Sequence, residues 1–129
     1  MAAARLLCID DEQRILDLLV EELRDHGFEV RGLTVSAKAI EEILAFRPDL
    51  VILDVQMPNM SGFEFMAELK ALPGGREIPV IVLTANDNMQ DIFGSEGVKG
   101  YFVKPVEPLK MEARIRQVLG LTGEIPHPG

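Results

Sequence analysis

Five polar residues carry the chemistry this sequence can offer: the acidic pair Asp10-Asp11, then Asp54, Thr84 and Lys104. Each follows a short apolar run: residues 5–9, 50–53, 80–83 and 101–103 in turn. If these runs are strands of one parallel sheet, all five residues land on one rim. Three carboxylates brought to about 5 Å repel by roughly 3 kcal/mol per pair at an effective dielectric of 20, so they need compensation. The Lys104 ammonium and one divalent cation together balance them, and Mg²⁺ suits an all-oxygen site that keeps positions for water and phosphate oxygens. A carboxylate held there can attack phosphorus to give an aspartyl phosphate, because positioning and charge neutralisation supply most of phosphoryl-transfer catalysis. The Thr84 hydroxyl and backbone amides near Ala85 can hold the phosphoryl oxygens, with the small Ala85 side chain leaving room.

Strand-like and helix-like patterns alternate five times, which predicts an α/β domain. The runs at 5–9, 50–53 and 80–83 are nearly continuous apolar stretches, as expected of central parallel strands covered on both faces. Residues 29–33 mix charged with apolar side chains and 101–103 is brief, so both are expected at sheet edges. The first helix should bury Ile15, Leu19 and Leu23 and close at His26-Gly27. Ser36 can cap a second helix facing the sheet with Ala39, Ile40, Ile43 and Leu44, and Pro48 ends it. Phe63, Met66 and Leu69 mark a third helix that stops near 72–75, and 88–93 a short fourth stopped by Gly94. Glu107-Pro108 opens a fifth, with Met111, Ile115, Val118 and Leu119 inward. Right-handed crossovers and five βα units point to a five-stranded parallel sheet of order 2-1-3-4-5, a flavodoxin-like three-layer α/β/α fold. In such sheets the ligand sits at the carboxyl ends of the strands between the first and third, where the acidic residues collect. Residues 1–120 are expected to form this domain, with 121–129 a flexible tail or the start of a linker.

Bulk properties fit a cytoplasmic domain that binds neither membrane nor nucleic acid directly. At 129 residues and 47% hydrophobic content the chain can bury one core. Its 13 Lys and Arg against 21 Asp and Glu leave −8, which repels a phosphate backbone. No apolar stretch approaches the roughly 20 residues of a membrane span, and the start lacks the basic lead and apolar core of a signal peptide. Cys8, the lone cysteine, reads as an inert core residue. His26 and His127 have no companions for a metal site, and Gly94, Gly97 and Gly100 precede a strand instead of linking one to a helix as a phosphate loop would.

Taken together, Asp10-Asp11, the stretch 54–62 with its Asp54-Val-Gln-Met-Pro-Asn-Met-Ser-Gly62, Thr84-Ala85, Tyr101 and Lys104-Pro105 resemble the response-regulator receiver domains of two-component signalling, chemotaxis type, over residues 5–119. The resemblance implies that Asp54 accepts the phosphoryl group. It makes Asp11, Asp54 and the Gln56 carbonyl direct Mg²⁺ ligands, with Asp10 a ligand through water. It assigns phosphoryl binding to Thr84, Ala85 and Lys104, an aromatic switch to Tyr101 acting with Thr84, and a cis bond to Lys104-Pro105. The partners it implies are a sensor histidine kinase or phosphotransfer protein as donor and a downstream protein or output domain as target. Such a domain is no conventional enzyme, since it catalyses only its own phosphorylation and dephosphorylation. From Thr84 to Lys104 is 20 residues, shorter than the family's usual span, so its output geometry is not carried over.

Three other functions compete. An aspartate-nucleophile phosphatase would want an Asp-x-Asp pair where Asp10-Asp11-Glu12 stands. An FMN carrier would want an anion-friendly first loop in place of an acidic one. A receiver-like adaptor could keep the pocket and work by constitutive binding. Singly, each motif residue has a plainer role: Asp10-Asp11 could only cap a helix, and Tyr101 could only fill the core.

Overall fold

Five strands, β1 (Arg5–Ile9), β2 (Glu29–Leu33), β3 (Leu50–Asp54), β4 (Val80–Thr84) and β5 (Val98–Val103), pair in parallel in the order β2-β1-β3-β4-β5. This computed structural model describes residues 3–34, 38–54, 62–84 and 98–121. Around the sheet lie helices α1 (Gln13–Asp25), α2 (Ala39–Phe46), α3 (Gly62–Ala71) and α4 (Pro108–Val118), with a 3₁₀ turn at Gly75–Glu77. The architecture is the expected flavodoxin-like three-layer one. Ser36, Gln56, Ala85, the short helix expected at 88–93 and the tail after 121 lie outside the described residues.

β3 and β4 are buried at every position, which explains their unbroken apolar sequences. Side chains alternate across the pleat, so each strand feeds two cores. Leu7, Ile9, Val51, Leu53, Val80 and Val82 pack with α2 and α3 on one face. Leu6, Cys8, Leu50, Ile52, Ile81 and Leu83 pack with α1 and α4 on the other. Burial pushes the Cys8 thiol up to about 12, with the nearby Asp10 charge acting the same way, so at neutral pH it is a protonated core residue.

Several buried faces differ from the sequence expectation. In α1 the deepest residues are Leu16, Val20 and Leu23, while Leu19 only flanks that core. Apolar residues cover so much of α1 that two adjacent stripes compete, and packing against β2, where Gly32 lets Leu16 and Val20 come close, selects between them. Leu44 of α2 is exposed and Phe46 takes its place inward, with the Arg31 guanidinium over its ring at 4.6 Å. In α3 Met66 and Leu69 are buried as expected and Phe65 is fully buried beside them, while the Phe63 side chain lies outside the described residues. The α4 face is the expected one, with Met111 and Ile115 fully buried and Val118 and Leu119 partly so. β5 is longer than the brief strand expected at 101–103 because a register shift opposite Val80/Ile81 admits Val98 to the ladder. Both edge strands are β2 and β5.

Helix ends follow their local chemistry. His26 closes α1 and Gly27 follows at φ 95, the left-handed conformation that glycine adopts at least cost. α4 opens on Glu107 with Pro108 in its first turn. After α3 the chain turns so tightly that a Cβ on Gly75 would lie 1.8 Å from the Leu69 carbonyl oxygen.

Candidate phosphoryl-acceptor site

The strand register sets the site. Ile9 pairs with Leu53, Asp54 with Leu83, and Thr84 with Val103, so Asp10, Asp54, Thr84 and Lys104 come level at the carboxyl ends of four adjacent strands. Two ladder hydrogen bonds continue one residue beyond the strands: the Asp10 amide donates to Leu33 O at 3.0 Å and the Lys104 amide donates to Thr84 O at 2.8 Å. The backbones of both residues are thereby held by the sheet.

Carboxylate oxygens of Asp10, Asp11 and Asp54 all lie within 4.8 Å of one another. Asp10 and Asp54 are buried, whereas Asp11 is exposed and leaves the cluster open to solvent on its side. Lys104 Nζ donates to Asp10 Oδ2 at 2.9 Å and to Asp54 Oδ2 at 3.1 Å. Burial disfavours the Lys104 ammonium, yet the hydrogen bonds and charges of Asp10 and Asp54 outweigh it and raise the lysine above its ordinary value. The other Asp10 oxygen, Oδ1, accepts the Glu12 amide at 2.9 Å. Glu12 itself caps α1 without a side-chain bond, so Asp10 ties the entry turn and does not cap the helix. That turn bond was not foreseen, although an Asp two residues before a helix N-cap region is its usual signal.

With Lys104 counted, the cluster of three carboxylates keeps two negative charges, all on hard oxygen atoms. This donor set and charge fit a divalent cation such as Mg²⁺. Thr84 is fully buried at the end of β4 beside Asp54's partner Leu83. Tyr101 pairs in register with Val82 and is half-buried against the core shared with α2 and α3. The Lys104-Pro105 peptide bond is cis. Of the residues singled out from the sequence, Asp10, Asp11, Asp54 and Lys104 are thus joined in one cluster, Thr84 closes its rim, and Tyr101 stands one strand away. Gln56 and Ala85 are not among the described residues.

Comparison with known proteins agrees with this geometry. Residues 6–116 match the family model described as the response regulator receiver domain. The DNA-binding response regulator MtrA of Mycolicibacterium paratuberculosis is 32% identical over 124 residues, covering 95% of this chain and 54% of that protein. The transcriptional regulatory protein CreB of Escherichia coli is 41% identical over 117 residues, covering 86% of this chain and 48% of its own length. This chain therefore spans about half the length of the curated relatives it matches. Among solved structures, the chemotaxis response regulator CheY4 of Vibrio cholerae superposes with a TM-score of 0.82 at 28% identity, over 91% of this chain and 99% of that one. A response regulator from Desulfuromonas acetoxidans gives a TM-score of 0.82 at 27% identity, over 92% of this chain and 98% of that one.

Proposed function

Because this chain belongs to the response regulator receiver domain family, whose members switch on accepting a phosphoryl group, we propose that Asp54 is its phosphoacceptor. The observation that carries the assignment is the carboxylate cluster within 4.8 Å whose two buried members share the Lys104 ammonium. Asp54 Oδ attacks the phosphorus of a phosphohistidine on a sensor kinase or phosphotransfer protein. The P–N bond breaks, the imidazole leaves and takes a proton from solvent, and an aspartyl phosphate remains. Lys104, the Thr84 hydroxyl and the Ala85 amide bind the phosphoryl oxygens. Asp11, Asp54 and the Gln56 carbonyl would hold Mg²⁺ directly, and Asp10 would hold it through water. When bound, the ion neutralises charge building on the phosphoryl oxygens. Hydrolysis of the acyl phosphate in the same pocket resets the switch.

Conformational output passes through Thr84 and Tyr101, with Tyr101 turning further inward as Thr84 engages the phosphoryl group. The domain works in the cytoplasm, and no described helix is long and apolar enough to cross a membrane. Relatives described as DNA-binding or transcriptional regulators suggest a transcriptional output reached through another domain or protein. The −8 charge argues against nucleic-acid contact by this domain itself. Family membership also sets aside the phosphatase and FMN-carrier readings. The test is intact mass after incubation with acetyl phosphate, with and without Mg²⁺. One Mg²⁺-dependent phosphoryl adduct is expected on the wild type and none on Asp54→Asn. Labelling of Asp54→Asn would overturn the assignment, and a wild type that no phosphohistidine donor labels either would leave the constitutive adaptor in its place.

A further inference from the structure

At the amino ends of the strands, opposite Asp54, lies an open groove of about 1190 Å³, and its charge is inverted relative to the rest of the chain. Arg5, Arg47, Arg76, Lys99, Arg114 and Arg116 line it against only Asp49 and Glu77. Nearly half of the chain's 13 cationic side chains meet there, on a protein of net charge −8.

Three of the six are occupied by the fold. Arg5 donates to Phe46 O, Arg114 to Lys99 O and Arg116 to His26 O and Glu112. The other three, Arg47, Arg76 and Lys99, are exposed and have no ion pair among the described residues. Arg47 is notable for its backbone as well, since it holds φ 54 and ψ 65 at the end of α2. Glycine or asparagine adopts that left-handed conformation at lower cost, so keeping a long cation there works against stability. A residue held in a disfavoured conformation with an unemployed charge is a pointer to binding.

Between the cations the lining is apolar, with Phe28, Ile78 and Pro79. The groove exceeds the roughly 300–1,000 Å³ typical of small-molecule sites, and it is open to solvent. We propose that it docks an acidic, partly apolar polypeptide segment of a partner protein, seated by Arg47, Arg76 and Lys99. A nucleic acid is the poorer match, because a long polyanion would run off the groove onto a surface of its own sign. Since the groove and the Asp54 pocket occupy opposite ends of the strands, the segment can bind whether or not the pocket is in use.

The test is fluorescence anisotropy of a short labelled peptide of alternating Glu and Leu, titrated with the full chain at low and at physiological salt. Arg47→Glu/Arg76→Glu/Lys99→Glu is expected to weaken binding by roughly tenfold or more, and the exposed Lys110→Glu control to leave it unchanged. Arg47→Gly relieves the left-handed backbone, so it should melt no lower than the wild type while binding the peptide more weakly. The proposal is overturned if the peptide does not bind at low salt, if the triple reversal and Arg47→Gly both bind like the wild type, or if a single-stranded oligonucleotide of equal charge binds as tightly.

Discussion

Replacing Lys104 by Met removes the cation that both buried carboxylates of the pocket contact. Its ammonium stands 2.9 Å from Asp10 and 3.1 Å from Asp54, whose side chains are 2% and 4% exposed. Each contact is a gross attraction of about 5–6 kcal/mol at an effective dielectric of 20, against which the ammonium's own desolvation must be set. Removing one partner of a buried pair costs about 3–5 kcal/mol, because the charge left behind is uncompensated. Lys104→Met should therefore lose about 4 kcal/mol of unfolding free energy, or roughly 2 M in urea midpoint for an m-value near 2 kcal/mol/M. The assay is urea unfolding followed by circular dichroism in EDTA, so that no divalent ion substitutes for the lysine. The second variant, Lys104→Met/Asp10→Asn, restores the pocket's original charge and keeps an acceptor for the Glu12 amide. It should recover most of the loss, since Asp10 no longer repels Asp11 and Asp54 across distances up to 4.8 Å. A single variant within about 0.5 kcal/mol of wild type would place Lys104 with ordinary surface pairs. A double variant no more stable than the single would refute the charge argument itself.

Two further outcomes follow from the fold. Gly75→Ala forces a Cβ to within 1.8 Å of Leu69 O, so the turn after α3 must move; a loss of about 3 kcal/mol or more in the same unfolding assay is expected, with acetyl-phosphate labelling retained by the folded fraction. Cys8 should resist thiol reagents in the folded protein at neutral pH. Burial pushes its thiol up from 9.0 to about 12, so the unfolded chain releases the proton first. The stability it contributes is complete below about pH 9.0 and falls by about 1.4 kcal/mol per pH unit from there towards 12, a slope that Cys8→Ala should remove.

Much of the site was legible because Asp10-Asp11, Asp54 and Thr84 each end an apolar run that reads as an interior strand, while Lys104 follows the edge strand β5. Once Leu50–Asp54 and Val80–Thr84 are taken as central, parallel register brings Asp54 and Thr84 to one rim. The double contact of Lys104 was less legible, since it depends on ladder bonds that run one residue past β1 and β5. Helix faces were read less well where apolar residues are in excess. Ile15, Leu16, Leu18, Leu19 and Val20 offer α1 more than one stripe, and only contact with β2 decides that Leu16 and Val20 go deepest and Leu18 stays out. β5 looks shorter in the sequence than it is because Lys99 and Gly100 are not typical strand residues. Gly100 is there because Ile81 and Arg114 crowd the position, where a Cβ would come within 3.1 Å of Ile81. The basic groove is not legible in the sequence, since its cations are scattered from Arg5 to Arg116 and only the fold assembles them.

The alternation of side chains along β3 and β4 has a mechanical consequence. Leu53, which immediately precedes Asp54, is seated under α2 and α3, while Leu83, which immediately precedes Thr84, is seated under α1 and α4. Asp54 and Leu83 are register partners, and Ile52 and Val82 tie the same two strand ends to the other layer in each case. A pull that draws Asp54 and Thr84 together is therefore felt by both helical layers at once, because each strand end is wedged between them.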